Sequence, residues 1–221
     1  MAVVYLVRHG QASFGKDDYD VLSATGQLQS TVVGAELRRR ELKFDQVWSG
    51  TLHRQRDTAT ACLSAAGLDL ECQVDPRWDE YDLYSLALHH RPNDQAAAMG
   101  SAQEFQRVLE RAILAWSADG EPVGTAGTWR EFCASGCAAL AELCAGLGRG
   151  GTGLVFTSGG VIAAICANLL KLSLEGFLAI NRTMTNAGIT KIVHGQSGTS
   201  LVSLNEHAHF EGANRDLLSY R

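Results

Sequence analysis

Five apolar, largely β-branched residues, Val3 to Val7, run straight into Arg8-His9-Gly10. A run that short cannot make a helix of its own; it fits a strand buried on both faces of a parallel sheet. The carboxyl ends of such strands are where open α/β sheets place their ligands. An imidazole there can act as nucleophile or acid–base group near neutral pH, a guanidinium can grip an oxyanion bidentately, and a glycine lets the backbone turn sharply. A histidine in that position is more often structural than catalytic, so the rest of the chain must decide.

Downstream, strand and helix signals alternate. Residues 14–20 form a loop bearing glycine and aspartate, and an amphipathic helix then runs to about Arg40, with Ser23 or Thr25 as its cap. Residues 44–49 read as a second strand, and the stretch from Thr51 opens a second helix that Gly67 stops. A third strand near 71–74 leads to Trp78-Asp79-Glu80-Tyr81. Residues 82–127 are looser, with Pro92, Pro122 and one helix near 104–115, and read as a cap segment inserted over the sheet. A helix follows to Leu147, then a strand at 153–157 ending in Ser158-Gly159-Gly160, an apolar helix over 161–170, and strands at 186–194 and 200–205. This order predicts a three-layer α/β/α sandwich around a mainly parallel sheet, as one domain with an inserted cap; a two-domain split near Asp82 is the alternative.

Charge and cysteine usage narrow the class of partner. A net charge of -5 offers no footprint for nucleic acid or an anionic membrane, so any affinity for phosphate must be local. The six cysteines lack C-x-x-C spacing, and no histidine joins Cys133 and Cys137 to complete a zinc set. Scattered thiols, no room for a signal peptide before the first strand and no membrane-length apolar run predict a cytoplasmic location.

Three strand ends carry polar turns: Arg8-His9-Gly10, Ser49 through Arg54, and Ser158-Gly159-Gly160. In a parallel sheet these share one edge, where an imidazole, two guanidiniums and helix N-termini make a crevice suited to phosphate.

These motifs resemble the histidine phosphatase superfamily, which includes the cofactor-dependent phosphoglycerate mutases. Leu6-Val7-Arg8-His9-Gly10 is similar to its Arg-His-Gly signature, Leu22-Ser23-x-x-Gly26-x-x-Gln29 to its following helix start, and Ser49 through Ala59 to its Ser-x-x-Leu-x-Arg-x-x-x-Thr-Ala element. Glu80, just after Arg77-Trp78, stands where that family has its acidic proton donor, and Asn205, His209 and the tail from Leu217 fit the family's endings. The resemblance covers nearly all of the chain outside 82–127 and implies a phosphoglycerate mutase-like fold. It implies His9 as a nucleophile that becomes phosphohistidine, Arg8 and Arg54 as clamps on phosphoryl oxygens, and Glu80 as acid and then base, raised in pKa by burial. Neither metal nor other cofactor is required. Read without the resemblance, Arg54 is a solvated charge at a helix start and Glu80 part of a plain acidic loop with Asp79 and Asp82. Thr58 reads as a packing or helix-bonding residue.

Two positions depart from the family pattern. Its second catalytic histidine is replaced by Ser158, which with Gly159 is left to bind phosphate; a hydroxyl donates one hydrogen bond but brings no imidazolium charge. Gly15 stands where many members carry a phosphate-contacting asparagine. His194 and His209 are candidates to supply the missing imidazole. The expected activity is hydrolysis of a phosphomonoester, either a small molecule or a phosphoprotein. An impaired member that binds phosphorylated ligands as a sensor or scaffold is the alternative, and a mutase a third.

Overall fold

The computed structural model describes residues 1–13, 20–90 and 102–220. Gly15 and Pro92 therefore lie outside the described residues, as do parts of the first loop and of the 82–127 segment.

Strand β1 (Ala2–Arg8) sits inside a six-stranded sheet and alternates cleanly between its two faces. Val4 and Leu6 point to one side, Tyr5 and Val7 to the other, and all four are buried. β1 pairs in parallel with β4 (Thr152–Thr157), which pairs in parallel with β2 (Gln46–Ser49), and β2 with β3 (Cys72–Val74). On its other side β1 pairs antiparallel with β5 (Ile189–Gly195), which pairs antiparallel with β6 (Gly198–Glu206), giving the order β3-β2-β4-β1-β5-β6.

Helices cover both faces, giving the three-layer α/β sandwich that the alternating sequence signals predict. α1 (Ala24–Arg39) and α2 (His53–Ala66) pack Val33, Leu37, Ala59 and Cys62 against Tyr5, Val7 and Phe156. α1 starts at Ser23, whose side chain accepts from Gly26 N, and α2 stops at Gly67 in the left-handed region. Opposite them lie α5 (Trp129–Leu147), α6 (Gly159–Leu170) and α7 (Leu174–Thr183). α3 (Leu83–His90) and α4 (Ala102–Asp119) insert Leu86, Leu109 and Trp116 into that same core, where Trp116 packs with Tyr81, Trp129 and Phe132. Among the described residues no helix is long and apolar enough to cross a membrane.

Two features depart from the sequence reading. α7 occupies a stretch with no assigned element, and β5 runs antiparallel to β1 and, across the two-residue connection Gln196-Ser197, also to β6.

Candidate active site

The parallel pairing of β1 with β4 matches Arg8 with Thr157, and His9 N donates to Thr157 O at 2.9 Å. The residues that follow, His9 and Ser158, thus leave the sheet side by side. β2 ends next to them and delivers α2, whose first turn carries Arg54 and Gln55.

His9 is buried and its ring is held at both nitrogens. Nδ1 lies 2.7 Å from Gly10 O, and Arg54 Nε lies 3.2 Å from Nε2. A carbonyl only accepts, so Nδ1 carries the proton and Nε2 presents a lone pair, toward which Arg54 donates. Thr58 fixes the turn beneath: its hydroxyl accepts from Gly10 N at 3.0 Å while donating to Arg54 O. Its role is thus the helix-bonding one of its two sequence readings, together with a hold on the Gly10 turn. Gly10 is obligatory for a separate reason, since a Cβ there would lie 2.4 Å from Gly26 O.

Arg54 is 5% exposed, which removes the reading of a solvated charge. Its Nη1 donates to Asp20 Oδ1 at 2.6 Å, and the same carboxylate accepts from His53 N at 2.7 Å. Arg8, also buried, is anchored through Nη1 to the carbonyls of Met184 and Tyr220. Its Nε lies against Gly159, where a Cβ would approach to 3.3 Å, with Asn181 Oδ1 at 3.4 Å from the same point. The C-terminal tail is stitched in around it: Gln29 Nε2 donates to Leu217 O and Ser219 Oγ, and Ser219 Oγ to Asn186 Oδ1.

The two neighbouring carboxylates serve different elements. Asp79 turns to Thr51, accepting from its N–H and its hydroxyl, and burial raises its pKa. Glu80 is half-buried and turns the other way, where Oε2 accepts from Gly160 N at the start of α6 at 2.9 Å. Ser158 is fully buried, and its Oγ accepts from Gln55 Nε2 at 2.9 Å.

Of the residues singled out from sequence, Arg8, His9, Arg54, Glu80, Ser158 and Gly159 all gather at this one sheet edge. The two candidate substitute histidines do not join them. His194 pairs with Ala2 at the opposite end of β1, its Nδ1 at 2.8 Å from Thr199 Oγ1. His209 turns its Nε2 to Ala187 O at 3.0 Å, packs at a tilt against the Phe210 ring, and burial lowers its pKa to about 4. Gln55, Asp20 and Asn181 escaped the sequence reading, because no local pattern separates a buried amide or carboxylate from a solvated one; Gln55 stood directly beside Arg54.

The sequence model of the histidine phosphatase superfamily (branch 1) matches residues 4–207. No curated protein sequence matches the chain. A solved structure of a mycobacterial hydrolase is 27% identical with a TM-score of 0.67, covering 93% of this chain and 99% of its own. A mycobacterial glucosyl-3-phosphoglycerate phosphatase is 26% identical with a TM-score of 0.65 over the same shares. A phosphoglycerate mutase from Bacillus anthracis shares the fold at 20% identity, with a TM-score of 0.67 over 94% of each chain.

Proposed function

The chain belongs to the histidine phosphatase superfamily, branch 1, and from that membership we propose that it hydrolyses a phosphomonoester through a phosphohistidine on His9. One observation carries the reading: the His9 ring is locked with Nδ1 protonated on Gly10 O, so the lone pair of Nε2 faces the Arg54 guanidinium in a buried crevice. A nucleophile of this kind needs one unprotonated nitrogen, a fixed tautomer and a cation where the phosphoryl oxygens will lie. The named phosphatase among the structural neighbours supports hydrolysis over phosphoryl shuttling.

In the first step Nε2 attacks phosphorus and the bond from phosphorus to the ester oxygen breaks in line. Arg54 turns its Nε hydrogen bond from the ring to a phosphoryl oxygen, and Arg8 and the N-terminal turn of α6 face the others. Glu80, as the carboxylic acid, protonates the departing oxygen. In the second step Glu80, now a carboxylate, takes a proton from water, the water oxygen bonds to phosphorus, and the P–N bond breaks to return neutral His9 and free phosphate. Ser158 and the Gly159 N–H donate to the phosphoryl oxygens, without the charge an imidazolium would bring.

The test is turnover of p-nitrophenyl phosphate with and without His9. The parent chain is expected to hydrolyse it and to form an acid-labile, base-stable phosphoryl adduct on His9. His9→Ala is expected to abolish both. Binding of orthovanadate with neither turnover nor adduct would replace this reading with that of a sensor of phosphorylated ligands.

A further inference from the structure

Gln55 is as buried as any residue in the protein, yet it is a carboxamide at the third position of a polar helix start. Its orientation is fixed by what surrounds it. Nε2 donates to Trp78 O at 2.9 Å and to Ser158 Oγ at 2.9 Å. The Trp78 carbonyl can only accept, so the nitrogen must face it, and the second amide hydrogen then goes to Ser158. The amide oxygen is turned to Gly50, where a Cβ would lie only 2.0 Å from Oε1. Oε1 is buried, and among the described residues it accepts no hydrogen bond. Leaving a buried carbonyl oxygen without a donor is costly, and a methionine or leucine of similar volume would avoid that cost.

We infer that Gln55 is a positioning residue of the proposed phosphate site: it occupies the acceptor side of the Ser158 hydroxyl and so directs the Ser158 hydrogen into the crevice beside His9. The inference rests on the phosphatase reading above. A serine hydroxyl is donor and acceptor at once, and an unconstrained one is free to turn its lone pairs toward an incoming phosphoryl oxygen. With Gln55 donating to Oγ, Ser158 has its own hydrogen to offer, and its hydroxyl is not drawn into capping α6. Consecutive residues of α2 thus divide the work, Arg54 reaching His9 Nε2 and Gln55 reaching Ser158 Oγ. The pair is a neutral amide–hydroxyl donor at the position where the family resemblance leads one to expect an ionisable ring.

A double-mutant cycle tests it. Gln55→Met keeps the volume and removes the donor, and it does not strand the Trp78 carbonyl, which also accepts from Thr157 Oγ1 at 2.6 Å. On p-nitrophenyl phosphate, Gln55→Met and Ser158→Ala are each expected to lower kcat about three- to tenfold, the size of one neutral hydrogen bond, with KM within about twofold. The double variant is expected to be no slower than Ser158→Ala, because Gln55 acts only through that hydroxyl. Additive losses, or an unchanged kcat in Gln55→Met, would overturn the inference. Should Gln55→Met fail to fold cooperatively, Gln55→Asn, one methylene too short to reach Ser158, takes its place in the same cycle with the same expectation. Orthovanadate affinity, read on the same variants, needs no turnover. Vanadate bound with additive effects removes the role of Gln55 alone, whereas a parent chain that neither binds vanadate nor turns over substrate removes the phosphatase reading and this inference with it.

Discussion

Gly160 has no side chain where Glu80 needs room: a Cβ there would lie 2.2 Å from Glu80 Oε1 and 2.6 Å from Tyr81 Cε1. Gly160→Ala is therefore a way to move the proposed acid without touching His9, Arg8 or Arg54. General acid–base groups typically contribute 10²- to 10⁴-fold, so kcat on p-nitrophenyl phosphate is expected to fall by about 10² or more while vanadate affinity stays within about threefold. An unchanged kcat would take Glu80 out of the proton-transfer role. The residues of this site were unevenly legible in the sequence. Arg8 and His9 announce themselves because an apolar strand ends in them, and Arg54 because it opens a helix behind a second strand. Gln55, Asn181 and Asp20 carry no such signal, since what makes them part of the crevice is burial against segments far away in the chain. Ser158 was legible as the start of a polar strand-end turn and as a departure from a pattern; that its hydroxyl is held by Gln55 depends on how β2 and β4 lie side by side.

At the level of elements, α2 illustrates how a loop can complete a helix. Its cap position is Leu52, which has no oxygen to offer the first N–H groups. Asp20 supplies one from the preceding connection, accepting from His53 N at 2.7 Å and pairing with Arg54 Nη1 at 2.6 Å. Loss of a side-chain cap costs about 0.5–2 kcal/mol, so Asp20→Ala is expected to lower stability to urea by that amount, and Asp20→Asn, which keeps an acceptor, by less. Equal urea midpoints for Asp20→Ala and the parent would mean that α2 does without the cap. Most elements were readable because their boundaries are local, as with Ser23 before α1 and Gly67 after α2; the capping box of Thr128 with Glu131 at the start of α5 came from the structure. The hairpin of β5 and β6 was not readable, since the strand signals stop at His194 and resume at Ser200 and so conceal its two-residue turn. α7 lacks a side-chain cap and carries a glycine at Gly176, which weakens its helical signal; its place is set by burying Phe177 and Leu178 in the core.

Across the whole molecule, the C-terminal segment closes the structure over the α1–α2 face, and it does so through a buried imidazole. Phe210 enters the core beside Tyr5 and Val7, and His209, its ring tilted against that of Phe210 with centroids 4.3 Å apart, ties the turn to Ala187 just before the antiparallel strands. Burial pushes the His209 pKa down from 6.5 to about 4. The unfolded chain thus takes up a proton on this ring near pH 6.5 that the folded chain refuses until about pH 4, so stability falls as the pH drops through that window. A depression of this size corresponds to at most about 3 kcal/mol. Glu36 adds a second, lower step. Its hydrogen bonds to Arg39 and Arg40 hold its pKa at about 2, against 4.5 for the free side chain, so its stabilisation is present above about pH 4.5 and lost as the pH falls toward 2. Urea unfolding followed from pH 7 to pH 3 is therefore expected to show a midpoint that declines below pH 6.5, well before carboxylates titrate. His209→Gln retains a donor for the Ala187 carbonyl and has no ionisation, so it is expected to flatten the curve between pH 6.5 and 4.5 and leave the decline below 4.5 in place. A variant whose midpoint tracks the parent through the upper window would show that the acid sensitivity of the fold lies in groups other than this ring.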